Sequence, residues 1–339
     1  MRLGFNLKEN KNAQNLSGRF FLILIIWTWR IFMKEKILEH YRKTGAFTYS
    51  GLYAQYFRTL PDDIAQLGRL VCSQVIHRVT LKEGNTNFNA MLLYGDMKRY
   101  PWFAPRCHDD LLITAAAMAA ELFRLDERGF TKDRDVESKI VVTCRYVSVL
   151  MSAILKAKGI PARSRAGFAP YFKNGISMDH WINQYFCEKE NRWITFDADG
   201  FYEEAGMEIR QYDIPHEKFN WAAESWIAVR YGKSDGKKFL YADGKGTCGI
   251  PALARYLVYD FHALMNNELT FSFLPEFMDG RLDSLSEKEL YEFDELAKLL
   301  LEPDKNFEKL CNIWETKRKF RVLNSPLVGS RDHGAEYKE

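Results

Sequence analysis

Apolar residues recur with helical spacing along most of this chain, and alternate with polar ones over a single central stretch. Residues 34–45 read as a short amphipathic helix ended at Gly45. The run Leu60-Pro61-Asp62-Asp63 reads as a helix start with proline at an early position, and from Ile64 onward Leu67, Leu70, Val71, Val75 and Ile76 keep helical spacing. A second stripe of Leu111, Leu112, Ala115, Met118, Ala119 and Leu122 predicts a helix over 109–125, before Gly129. This makes the first part of the chain a helical layer.

The period then changes. Ile140-Val141-Val142 is a brief β-branched run, Thr143 suits an N-cap, and Val147, Leu150, Met151, Ile154 and Leu155 mark a buried helix. Gly159 fits its C-cap, and Pro161 bars continuation. Residues 162–168 read as a strand, 170–175 as a turn, and 178–186 as a strand with His180, Ile182, Gln184 and Phe186 on one face. After the polar loop 188–191, residues 192–197 read as a third strand carrying Trp193, Thr195 and Asp197 on a common face. Helices return over 255–264 and after Ser286, where Ser286 and Glu289 have capping-box spacing and Leu290, Phe293, Leu296, Ala297 and Leu300 form the stripe. Pro303 ends that helix, and a short one carries Phe307, Leu310, Cys311, Ile313 and Trp314. The basic run Lys317-Arg318-Lys319 reads as a helix C-terminal turn and a solvated tail.

The patterns divide the chain into five parts. Residues 1–32 are a hydrophobic and basic extension or a misassigned start, 33–99 a helical region, 100–245 an α+β core, 246–325 a second helical region, and 326–339 a disordered tail. The apolar run over 20–29 has ten residues, whereas a membrane-spanning helix needs about 20. No small-residue cleavage site follows it, and Arg30, Lys34 and Lys36 come next. The run therefore fits a peripheral extension or misassigned start better than a membrane anchor.

Composition narrows the class. With 339 residues, 47% hydrophobic and 27% charged, the chain can bury a large core, and disorder is excluded as its general state. A net charge of +3, from 48 basic and 45 acidic residues, gives no footprint for nucleic acid. The six cysteines are dispersed without CxxC pairs, so neither a disulfide framework nor a zinc knuckle is indicated, and a reducing cytoplasm is the simplest setting.

The candidate chemistry lies in 140–199. Cys144 falls in the first turn of a buried helix, where unpaired N–H groups and the positive end of the helix dipole favour a thiolate. Such positions lower a cysteine pKa from about 8.5 toward roughly 3.5 to 7.5. The strand pair supplies the rest. A two-residue turn at Glu188-Lys189 would set His180 opposite Asp197, and a four-residue loop over 188–191 would set Asp199 there instead. Either register places a carboxylate beside the imidazole, where it can orient the ring while the ring activates the thiol. This reading requires the sulfur of Cys144 to lie beside the ring of His180 and to be reachable from solvent.

Together these features resemble the transglutaminase-like superfamily of papain-like thiol enzymes. The resemblance rests on Cys144 opening a helix, on Lys158-Gly159-Ile160-Pro161-Ala162-Arg163 one helix length later, on His180-Trp181 on a strand, and on Trp193 four residues before Asp197. It implies a Cys-bearing helix packed on an antiparallel sheet, with Cys144 as nucleophile, His180 as general base and acid, and Asp197 as the orienting group. It also implies acyl transfer or hydrolysis at amide bonds of a peptide or amide substrate. The spacing from Trp193 favours Asp197 over Asp199. Arg145 stands where many members have an acidic residue.

Other motifs carry less. His77 and the adjacent Cys107-His108 read as surface or satisfied core residues, since neighbours in sequence on a helix do not face one another. The Asp197-Ala198-Asp199-Gly200 segment lacks the remaining ligands of a calcium loop and reads as a solvated turn. Gly244-Lys245-Gly246-Thr247 lacks phosphate-loop spacing. No metal or organic cofactor is called for. An arylamine N-acetyltransferase also uses cysteine, histidine and aspartate in this order, but its Arg-Gly-Gly-x-Cys approach is absent. A non-enzymatic scaffold on the same fold is the alternative of a different class.

Overall fold

The computed structural model describes residues 33–78, 99–105, 107–173, 175–203, 205–278 and 280–322. The expectations for 1–32 and for the tail from 326 lie outside the described residues. The chain divides into two units, 1–40 and 41–339. In the first, residues 33–40 are helical.

The second unit is built around a short parallel strand pair and the helix that leaves it. Helices α1 (Ala54–Thr59) and α2 (Ile64–Cys72) precede β1 (Val75–His77), and α3 (Ala115–Leu125) precedes β2 (Ile140–Val142), which leads directly into α4 (Cys144–Ala157). Strands β1 and β2 pair in parallel, with Val75 opposite Ile140 and His77 opposite Val142. Helix α4 is buried from Cys144 to Lys156, with α1, α2 and α3 packed against it. A helix surrounded in this way needs apolar residues on more than one face, and Tyr146, Val149 and Ala153 join the predicted stripe in the core.

On its other side α4 meets an antiparallel sheet of β3 (Ala162–Lys173), β4 (Ile176–Cys187), β5 (Arg192–Phe196) and β6 (Asn220–Trp221), in the order β5-β4-β3-β6. Four polar groups of the interface satisfy one another there. The Asn183 amide donates to the Ser148 carbonyl and to Ser152 Oγ, and Ser152 pairs with Ser164 at 3.0 Å. After α5 (Ala222–Arg230), the short β7 (Phe239–Leu240) adds to β4 in parallel. Helix α6 (Ile250–Leu264) packs on β3, where Asp260 takes a two-pronged bond from Arg165, and α7 (Glu287–Leu300) and α8 (Phe307–Thr316) complete the C-terminal helices. The capping box of Ser286 and Glu289 forms as its spacing predicts.

Five local expectations change. The turn read at 170–175 shrinks, because β3 runs on to Lys173 and β4 begins at Ile176. The helix begun at Ile64 stops at Cys72, and Val75 and Ile76 enter a strand, because β2 offers their β-branched side chains and backbone a ladder. The helix predicted over 109–125 begins only at Ala115, with Thr114 as its cap, because the Asp109 carboxylate is engaged by Thr143 instead. The helix predicted over 255–264 starts earlier, at Ile250. The basic run is not wholly a solvated tail: Lys319 is ion-paired with Glu292, and Phe320 beside it is buried. The six cysteines are free thiols. Among the described residues, no helix is long and apolar enough to cross a membrane.

Candidate active site

Cys144 is the first residue of α4. Thr143 holds the extended backbone of an N-cap, yet its side chain does not cap the helix. Its N–H and its hydroxyl both donate to the buried Asp109 carboxylate, at 3.1 and 3.2 Å, and these bonds fix the path from β2 into the helix. The next residue, Arg145, is fully buried and points elsewhere. Its guanidinium donates to the backbone carbonyls of Glu268, Leu269 and Ile113 and lies over the rings of Phe47 and Tyr146. It clamps the loop after α6 to the core and does not face the thiol's other partners.

His180 lies on β4, with its Nε2 2.7 Å from Asp197 Oδ2. The Tyr171 hydroxyl donates to the same oxygen at 2.8 Å, and the Asp199 N–H donates to Oδ1 at 3.0 Å. The Phe172 ring meets the imidazole edge to face, with centroids 4.8 Å apart. Cys144 is close enough to the imidazole for each to shift the ionisation of the other. With Nε2 directed at Asp197, Nδ1 is the nitrogen left for the sulfur.

The register behind this geometry is the four-residue one. Cys187 pairs with Arg192 and Asn183 with Phe196, so a continued ladder would bring Asp199 opposite His180. Strand β5 stops at Phe196 instead. The Asp197 N–H turns to the Gln211 carbonyl and the Gln211 side-chain amide donates to the Asp197 carbonyl, which swings the Asp197 carboxylate onto the imidazole. Asp199 is turned to a different histidine. Its Oδ2 lies 3.7 Å from Nε2 of His77, at the end of β1. Both aspartates are buried, so the segment Asp197 to Gly200 is no solvated turn. Nor is His77 an isolated residue: a ring nitrogen of His77, the Cys144 sulfur and an Asp199 oxygen all lie within 4.8 Å of one another. The sequence signal that could have found this was the approach of β1 to β2, and that was hidden by the helical spacing read through Val75 and Ile76.

Electrostatically, the thiol depends on the ring. Burial pushes the Cys144 pKa up, and the charge of His180 pulls against it. The downward shift expected from the helix terminus alone is therefore not what the site gives. For His180, burial favours the neutral ring, but the charges of Asp197 and Cys144 outweigh it and raise the pKa well above the usual value. Access is narrow. Cys144 keeps 5% of its surface and His180 2%, while the His77 side chain beside them is 17% exposed.

Other residues picked out by the sequence have structural work. Trp193 donates to Asp304 and lies over the Arg163 guanidinium, and Trp181 is buried against Tyr259. Trp102 is 83% exposed. His108 is a satisfied core residue, its Nδ1 accepting the Val141 N–H at 2.9 Å. A cleft of about 450 Å³ is lined by Arg163, Arg165, Trp193 and Trp221, but by none of Cys144, His180 and Asp197. Both arginines there are already ion-paired, with Asp304 and Asp260.

A thiol heading a buried helix, with an imidazole and a carboxylate brought to it by an antiparallel sheet, defines the α+β papain-like class of fold. Residues 133–198 match the model of the transglutaminase-like superfamily, and Cys144, His180 and Asp197 all fall inside the matched segment. Among solved structures, the chain is similar to one described as "a Putative Cysteine Protease from Cytophaga hutchinsonii", at 14% identity and a TM-score of 0.29. That similarity covers 54% of this chain and 47% of the other, about half the length of each. No curated protein matches the chain.

Proposed function

We propose that this protein is a thiol enzyme that acts on amide bonds through a thioester at Cys144. The reading rests on one observation: His180 is bonded to Asp197 at 2.7 Å and electrostatically coupled to the Cys144 thiol at the same time. In the first half-reaction the Cys144 thiolate attacks the amide carbon, and the protonated His180 gives its proton to the departing amine as the C–N bond breaks. A thioester and a free amine result. In the second, neutral His180 takes a proton from water or from a second amine as it attacks the thioester, which releases a carboxylic acid or a new amide and restores the thiol. Asp197 holds the ring by Nε2 and supports its charged form. As the first helical residue, Cys144 has an N–H with no intrahelical acceptor, and it is suited to bind the oxyanion. The narrow opening favours exclusion of bulk water, on which the choice between water and amine as acceptor depends.

The burial of Cys144 favours a second reading, a binding scaffold that keeps the fold without the chemistry. One experiment separates them. The protein is incubated with a library of peptides and simple amides, quenched in acid, and analysed by mass spectrometry for acyl groups on Cys144, with Cys144→Ala as control. Acylation at Cys144 supports the enzyme. Absence of any adduct, together with alkylation by iodoacetamide no faster than an ordinary thiol, supports the scaffold.

A further inference from the structure

Cys144 lies between two histidine–carboxylate pairs, and only one of them has a role in the chemistry above. The other, His77 with Asp199, is assembled from opposite ends of the core. The parallel register sets His77 opposite Val142, two residues before Cys144, so the ladder itself delivers the imidazole to the head of α4. Asp199 is held by its N–H to Asp197 Oδ1 and by the Tyr202 hydroxyl on its carbonyl. Gly200 adds a backbone angle of φ +133°, and a Cβ there would meet the Tyr202 ring at 2.4 Å. The turn that presents Asp199 is therefore fixed.

From this geometry we infer that His77, Cys144 and Asp199 form a site for a borderline-soft divalent cation of the zinc type, which silences the thiol while it is bound. The donor set is one nitrogen, one sulfur and one oxygen. Zinc takes such ligands at about 2.0 to 2.3 Å in a tetrahedron, whose edges are then roughly 3.3 to 3.6 Å. The His77–Asp199 edge is already 3.7 Å, and the remaining separations, all within 4.8 Å, close by side-chain rotation of about 1 Å. Three protein ligands leave a fourth position for water. Calcium and magnesium prefer all-oxygen shells, and the sulfur and imidazole select against them. The surroundings favour a dication: Asp109 and Asp179 both act on His77, Asp197 lies beyond His180, and the facing cations are Arg78, paired with Asp109 at 3.4 Å, and His180. A metal on Sγ uses the electron pair that would attack an amide, whereas the His180–Asp197 bond can stay in place. The silencing rests on Cys144 being the nucleophile; the binding does not.

The test uses Co²⁺ as a spectroscopic probe and Zn²⁺ as competitor, with the full-length protein under reducing conditions. Co²⁺ should be taken up at one equivalent with a thiolate-to-cobalt charge-transfer band in the near ultraviolet, and Zn²⁺ should abolish the band. His77→Gln and Asp199→Asn, each checked for folding by circular dichroism, should weaken uptake by at least about 10-fold, since even outer-shell partners carry that much. Cys144→Ala should abolish the band, and His180→Ala should retain it. Absence of the band in the wild type, or uptake unchanged in both His77→Gln and Asp199→Asn, overturns the site. A band that behaves as expected in a protein that captures no acyl group leaves the metal site standing and removes only its effect on catalysis.

Discussion

Replacing Asp197 by asparagine tests the coupling at the centre of the site. The substitution preserves shape but puts an amide where a carboxylate oxygen lies 2.7 Å from His180 Nε2. The Asp199 N–H continues to need an acceptor at the other oxygen, which turns the asparagine N–H₂ toward the ring. Nε2 must then accept, so the neutral ring carries its proton on Nδ1 and cannot take one from the thiol. A buried hydrogen bond to a charged group is worth roughly 1.5 to 3 kcal/mol, so the imidazolium loses that support, equivalent to a factor of about 10 to 100. The sign follows from the two shifts. Asp197 raises the His180 pKa, so its removal moves the alkaline limit of the imidazolium to lower pH; burial raises the Cys144 pKa, so the thiol with less cationic support ionises at higher pH. The assay is the second-order rate of Cys144 alkylation by iodoacetamide, read by mass spectrometry from pH 5 to 10 (a range of about five units around the reference values for histidine and cysteine). Asp197→Asn should react about 10- to 100-fold more slowly at neutral pH, with its profile displaced to higher pH. A rate within about twofold of wild type and an unmoved profile would refute the coupling.

Arg145→Met removes a buried guanidinium that bonds three backbone carbonyls, and leaving such groups without donors should destabilise the fold by about 3 to 5 kcal/mol in urea unfolding; a loss under about 1 kcal/mol would mean that these bonds matter little. Gly200→Ala meets both a positive φ and the Tyr202 ring, so it should cost about 1 to 3 kcal/mol and slow Cys144 alkylation by displacing the aspartate turn; unchanged stability and rate would contradict the fixed geometry. His262 is buried between the Phe320 carbonyl and Asn267, and burial pushes its pKa down to about 4. The unfolded chain therefore binds this proton first, so stability is present above about pH 6.5 and is lost as pH falls toward 4, by up to about 3 kcal/mol. His262→Gln should flatten that part of the stability–pH curve, and an unchanged slope would assign the loss to other groups.

The sequence by itself determined the elements whose signals are local. Helix α4 could be read from Thr143 to Gly159 because cap, apolar stripe and proline stop lie within twenty residues, and the hairpin of β4 and β5 because alternation and loop are contiguous. Cys144, His180 and an aspartate could be named as candidates for the same reason. The tertiary structure decided which aspartate meets His180, since the answer turns on β5 leaving its ladder at Phe196 to bond Gln211, fourteen residues beyond Asp197. It also decided that Val75 and Ile76 form a strand, because their partner is β2, across a gap of more than sixty residues. His77 came to the thiol by that pairing, and no periodicity within its own segment encodes a neighbour so distant. Burial likewise reversed the expected shift at Cys144: a helix terminus is a local property, but the removal of water around the sulfur is the work of the whole core.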